Sequence, residues 1–240
     1  MIVVLACAPV GTVTAPGARA AGMFPAARSV GYDVSWPNCG MPEPTQRFAV
    51  VGVTGGLPFT ANPCLAAEFG AARRTGVAQL YMNIAATGRT TARLGRTGPA
   101  GACAPSASMC TAYNYGYAAA RAAYSLARSR LGASAVRTTW WLDVEFGANW
   151  SSSPPVNARA VAGALAFLRG RGLPVGIYST AYQWSHIAGR FRPGVPTWYA
   201  TVTRSAAAAR HACTASRGFT GGIVRMVQFA PGGLDADTVC

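Results

Sequence analysis

The segment Trp140-Trp141-Leu142-Asp143-Val144-Glu145-Phe146 is an aromatic, apolar run that carries two carboxylates two residues apart. On a β-strand, positions i and i+2 point to one face. Asp143 and Glu145 are therefore expected to share a side, with Leu142, Val144 and Phe146 on the other. Two carboxylates in a water-poor site repel, and at least one keeps its proton toward neutral pH. That pairing suits general acid chemistry. The ordinary alternative is a strand end with two solvated acids. Scarcity argues against it, since Asp and Glu together number 7 in 240 residues.

Other chemistries lack their residues. The histidines are His186 and His211, neither beside an acid pair, and there is no C-x-x-C pair or Gly-rich phosphate loop. Metal, nucleotide and Ser-His-Asp sites are thus poorly supported, and no metal or cofactor is expected. The net charge of +14 comes from Arg alone, with no Lys. It favours anionic partners such as acidic lipid or an anionic cell-wall polymer. The arginines are scattered and accompany no nucleic-acid motif, so nucleic acid is not an expected partner.

The elements that must position the acids follow from periodicity. Apolar runs at 30–35, 48–54, 78–84, 139–146, 175–179, 197–201 and 223–229 alternate with helical patterns at 63–75, 113–131, 157–171, 182–189 and 205–214. Strand–helix alternation of this length implies a parallel sheet with crossovers. Seven or eight strands favour an α/β fold of the TIM-type (β/α) barrel, flattened or incomplete forms included, over an open sheet. Gly-x-Gly-x-x-Gly is absent after the first strand, which argues against a dinucleotide-binding sheet. In such a barrel, side chains at the carboxyl ends of strands gather at one mouth. Asp33, Asn83, Asp143, Glu145, Tyr178, Trp198, Gln228 and Asp235 fall at or just beyond such ends, whereas Glu43, Glu68 and Asp237 do not. Residues 86–112, rich in Gly, Thr, Ser, Pro and Arg, interrupt the rhythm as a long insertion. It is expected to form an ordered flap on the mouth's rim. Tyr113, Tyr117 and Tyr124 share a helix face suited to packing on the barrel, with Tyr113 or Asn114 at a helix start as the alternative.

Residues 1–23 read as a signal peptide or leader: an apolar stretch from Ile2 to Val10, then the small-residue site Ala18-Arg19-Ala20-Ala21. A basic start to the segment is missing. Val4-Leu5-Ala6-Cys7 loosely resembles a lipoprotein acylation box, although the apolar stretch before Cys7 is short. Residues 24–240 are expected to form one barrel domain, with no later stretch long enough to span a membrane. Without Cys7, six cysteines remain, an even number that suits disulfides in an exported chain. Spacing leaves the pairing open. Joining neighbours along the chain gives Cys39–Cys64, Cys103–Cys110 and Cys213–Cys240, and a disulfide-stabilised barrel.

Five segments, in order, resemble the strand motifs of family 25 glycoside hydrolases, the lysozyme-like muramidases with a flattened (β/α) barrel. They are Gly31-Tyr32-Asp33-Val34-Ser35, the run from Phe48 to Gly56, Leu142-Asp143-Val144-Glu145, Gly176-Ile177-Tyr178-Ser179, and Val227-Gln228-Phe229 with Leu234-Asp235. The resemblance implies Glu145 as general acid. It implies Asp143 as the partner that orients or stabilises the substrate's 2-acetamido group, with Asp33 and Asp235 lining the pocket. Trp36, Tyr178 and Trp198 offer apolar faces to sugar rings, with Asn83 and Gln228 as polar contacts. Three features depart from the family: Gly52 and Gly55 replace a Lys and a Glu, Met82-Asn83 replaces an aromatic-rich signature, and the cysteines and the 86–112 insertion are additional. The expected function is a secreted or cell-wall-associated hydrolase of an N-acetylated polysaccharide, peptidoglycan foremost. The alternatives are a non-catalytic cell-wall or carbohydrate-binding protein using the same cleft, or an interaction domain on a barrel scaffold.

Overall fold

The computed structural model describes residues 24–41, 46–87, 91–214 and 218–240; the proposed leader, Cys7 and Glu43 lie outside them. In chain order the strands are β1 (Val30–Val34), β2 (Phe48–Gly52), β3 (Val77–Asn83), a hairpin of β4 (Thr97–Gly98) and β5 (Gly101–Ala102), β6 (Trp140–Asp143), β7 (Val175–Ser179), β8 (Thr197–Ala200), β9 (Val224–Phe229) and β10 (Ala236–Val239). All but the hairpin close into one barrel, ordered β1-β10-β9-β8-β7-β6-β3-β2. Neighbouring strands are parallel except at β10, which runs antiparallel to β9 and β1. Around the barrel lie α1 (Leu65–Thr75), α2 (Thr91–Leu94), α3 (Ser108–Leu131), α4 (Pro154–Gly170), α5 (Ala181–Ile187) and α6 (Ala206–Ala209). Among the described residues, no α-helix separates β1 from β2 and none separates β9 from β10, so the helical layer is incomplete.

Strand alternation sorts side chains into two cores. Ala49, Val51, Leu80, Met82, Trp140, Leu142 and Val144 face outward, onto Phe69, Ala120, Leu165 and Leu168 of the helices. Phe48, Val50, Trp141, Tyr178, Trp198 and Met226 face inward. A strand covered on both faces has little room for polar residues, hence the continuous apolar run Phe48–Gly52, all buried. Gly176 serves the inner layer: a Cβ there would lie 2.2 Å from the Trp141 ring. Asp143 is two residues beyond Trp141, so it enters the barrel on the same side.

The structure departs from expectation in four places. β6 ends at Asp143 rather than at 146, although the Val144 N–H still donates to the Tyr178 carbonyl at 3.0 Å. Phe146 is consequently not packed on the outer face; the chain has left the sheet, turns at Gly147 (φ +91°) and leaves Phe146 51% exposed. β10 was not foreseen. The described part of 86–112 does not line the mouth's cavity; it holds α2, the hairpin and the first turn of α3, with α2 and the hairpin packed on α3. Asn114 of α3 fastens it, accepting the Ala100 N–H at 2.9 Å and donating to the carbonyls of Gly95 and Gly101 at 3.1 and 3.0 Å. α3 begins at Ser108, and Tyr117 and Tyr124 pack edge-on against Phe167 at 5.2 and 5.8 Å. Disulfides join Cys39 to Cys64, Cys103 to Cys110 and Cys213 to Cys240. Among the described residues, no helix is long and apolar enough to cross a membrane.

Candidate active site

At the carboxyl ends of the parallel strands lies a cavity of about 260 Å³. Its aromatic wall continues the inner core. Trp198 packs at 4.5 Å from Tyr178, 5.7 Å from Trp141 and 6.2 Å from Tyr81. Asp33, Asp143, Glu145, Tyr178, Trp198, Gln228 and Asp235 all line the cavity. Two expected residues stand outside it. Asn83 lies behind Asp143, to which its side-chain amide donates. Trp36 stands on the rim, 48% exposed, with its neighbours Pro37 and Asn38 on the cavity wall.

Asp143 is held from the neighbouring strand β3, Asp33 from β9 across β10, and Glu145 from helix α5. The Thr54 hydroxyl donates to Asn83 Oδ1 at 2.7 Å, which turns the Asn83 amide nitrogen toward Asp143 Oδ2. Asp143 Oδ1 is buried and meets no donor among the described residues. The Tyr178 hydroxyl donates to Gln228 Oε1 at 2.8 Å, and Gln228 Nε2 donates to Asp33 Oδ2 at 2.9 Å. Glu145 lies beyond β6, where Ser179 and Trp150 grip the backbone: their side chains donate to the carbonyls of Val144 and Glu145, each at 2.7 Å. Thr180 caps α5 by accepting the Gln183 N–H at 3.0 Å, and Gln183 Nε2 donates to Glu145 Oε1 at 3.2 Å.

Enclosure sets the protonation. Burial lifts Asp33 to about 7, assisted by the charges of Asp235 and Glu145 and opposed by hydrogen bonds from Gln228 and Asp237. Burial pushes Asp143 well above the usual carboxylate range, reinforced by Glu145 and Asp33 and opposed by Asn83. Glu145 is raised by burial, against opposing contacts from Gln183 and Tyr178. Asp235 is raised by burial as well. The site therefore retains protons that solvated carboxyls would have released.

Sequence reasoning missed three residues of this assembly. Asp237 is fully buried on β10, accepts the Trp198 indole N–H at 2.7 Å, and lies against Asp33. Burial first, and Asp33's charge second, push it well above the carboxylate range. Its Oδ2 is buried and meets no donor among the described residues. The spacing Asp235-x-Asp237 repeats that of Asp143-x-Glu145 and was the available signal. Tyr81 lines the cavity at the position two before Asn83 on β3, a signal of the same period. Gln183 carried no signal at all. Gly52 has a steric reason: a Cβ there would sit 2.6 Å from Ser35 Cβ and 2.8 Å from Tyr81 Cζ, so the Tyr81 ring takes the space of a longer side chain.

Known proteins share this arrangement of strands and parts of the sequence. The family model described as Lysozyme-like protein 1 matches residues 107–221, a stretch that includes Asp143, Glu145, Tyr178 and Trp198. Lysozyme-like protein 2 of Caenorhabditis elegans is 34% identical over 65 residues, 26% of this chain and 23% of that protein. Probable GH family 25 lysozyme 4 of Dictyostelium discoideum is 36% identical over 62 residues, 25% of this chain and 29% of that protein. The matched segment thus spans about a quarter of each curated relative. The crystal structure of a bacterial lysozyme from Streptomyces coelicolor superimposes with a TM-score of 0.56 over 89% of this chain and 92% of that one, at 17% identity. At that identity the likeness establishes the fold. The chain resembles the lysozyme-like glycoside hydrolases of family 25.

Proposed function

We propose that this protein is a secreted glycoside hydrolase that cleaves an N-acetylated polysaccharide, peptidoglycan foremost, with the substrate's own 2-acetamido group as nucleophile. The observation that carries the reading is the pairing, in one cavity, of a raised Glu145 with a buried Asp143 whose Oδ1 meets no donor among the described residues. Glu145 donates its proton to the glycosidic oxygen as the bond from that oxygen to the anomeric carbon breaks. The acetamido carbonyl oxygen attacks the same carbon from the opposite face and closes a cationic ring, in place of the enzyme nucleophile used by most retaining glycosidases. Asp143, held by Asn83, presents Oδ1 as acceptor to the acetamido N–H and orients that group for attack. Glu145, now ionised, takes a proton from water as that water opens the ring, and the configuration is retained.

Glu145→Gln keeps the size and the Gln183 contact but has no proton to give. It is expected to fold normally and to lower reducing-end release from purified peptidoglycan by about 10²- to 10⁴-fold. Undiminished turnover in that variant would remove Glu145 from the role. A folded wild type that binds the wall in a salt-sensitive manner and releases no reducing ends would instead mark a carbohydrate-binding protein. Since Glu145 must begin protonated, the rate is expected to fall as pH rises through its elevated pKa.

A further inference from the structure

Two exposed aromatic groups stand on the rim, and the barrel places them on opposite sides. β1 and β7 are four strands apart whichever way the ring is followed, so the segments leaving them face each other across the mouth. Trp36 follows β1. Tyr182 lies on α5, which follows β7, and is 66% exposed; Phe146, directly after Glu145, is 51% exposed. Phe146 and Tyr182 meet edge to face at 5.9 Å and 86°. His186, one turn along α5, packs 4.2 Å from the Tyr182 ring and 6.2 Å from Phe146. The three rings, held against one another at the surface, present aromatic faces to solvent. The group is also fastened to the acid, because Gln183 accepts the Phe146 N–H with Oε1 and donates to Glu145 with Nε2.

We propose that Phe146, Tyr182 and His186 form the subsite for the leaving-group sugar, so that the polysaccharide crosses the mouth from Trp36 to Tyr182. The inference rests on Glu145 being the general acid. A general acid sits beside the oxygen that leaves, and the first sugar beyond that oxygen lies on the acid's outer side. Phe146 follows Glu145 directly and, like Tyr182, lies off the cavity wall, whereas Asp33, Asp143 and Asp235 line the cavity that would receive the sugar at the cleaved carbon. An aromatic face of this size takes the apolar C–H face of a pyranose ring.

The test compares peptidoglycan oligosaccharides extended beyond the cleaved bond on the leaving side with others extended on the opposite side. Tyr182→Ala, alone and with Phe146→Ala, is expected to raise KM about five- to tenfold for the first set, with a much smaller change for the second. Tyr182→Phe, which keeps the ring, should restore KM to within about twofold of wild type. The same loss should appear in calorimetric binding of leaving-side oligosaccharides to the Glu145→Gln protein. An unchanged KM in the double variant, or equal penalties on both sets, overturns the subsite while leaving the hydrolase reading intact. A wild type that cleaves neither set overturns both.

Discussion

At Asp237 a carboxyl has been placed under the site with no route to water, opposite a second carboxyl and beneath an indole N–H. Only its neutral form is comfortable there. A carboxyl whose folded pKa is raised contributes its full stability below the unfolded value, about 3.9, and that contribution is lost as pH climbs toward the folded value. Asp237→Asn copies the neutral acid: Oδ1 can still accept from Trp198, and the amide nitrogen can donate to Asp33. The variant is expected to match wild type near pH 4 and to gain on it above, by about 1.4 kcal/mol per pH unit until the folded pKa is reached. Urea midpoints at pH 4.5 and 7.5 measure the gap, and a constant difference would show that Asp237 is ionised in the fold. Asp237→Ala removes the same titration but strands the Trp198 N–H, so it should lie about 1–3 kcal/mol below Asp237→Asn at either pH.

Among the elements, α3 and α4 make the closest helix pair, and two glycines permit it. A Cβ at Gly116 would lie 1.9 Å from the Ala160 carbonyl oxygen, and one at Gly163 would lie 2.0 Å from that of Tyr113. Both obstacles are backbone and cannot step aside. Gly116→Ala gains about 1 kcal/mol of helix propensity, but the helices must separate. A net loss of about 1–3 kcal/mol is expected, visible as a Tm lowered by about 2–4 °C per kcal/mol. A Tm at or above that of wild type would show that the pair gives way freely. The same elements show what could be read in advance. Strands such as Phe48–Gly52 and Val175–Ser179 are legible because burial on both faces writes a continuous apolar run. β10 is four residues, Ala-Asp-Thr-Val, whose inward Asp237 is met by Trp198 from another strand, a contact that no local pattern reveals. For the same reason Asp143 and Glu145 could be paired from their spacing, whereas Gln183 reaches Glu145 from another element and Phe146 escapes its expected face once the strand stops short.

Over the whole molecule, charge is segregated. The chain carries +14 overall with 7 acidic residues. Of these, Asp33, Asp143, Glu145 and Asp235 line the cavity and Asp237 lies beneath it. Burial in one enclosed place raises all five pKa values, Asp33 to about 7, with the neighbouring acids adding to it at Asp33, Asp143, Glu145 and Asp237. The consequence runs against the common pattern of acid destabilisation. From about pH 4 upward the unfolded chain releases these protons while the native site keeps them, so the native state binds more protons and stability falls with rising pH. At fixed ionic strength, Tm by calorimetry is expected to be higher at pH 5 than at pH 8, and Asp33→Asn should flatten the slope. A Tm that rises from pH 5 to pH 8 would mean that the acids ionise in the native state. The proposed chemistry has the same dependence, because the proton that Glu145 donates is one of those the enclosure retains. Hydrolysis and stability should therefore decline together toward alkaline pH, from one physical cause.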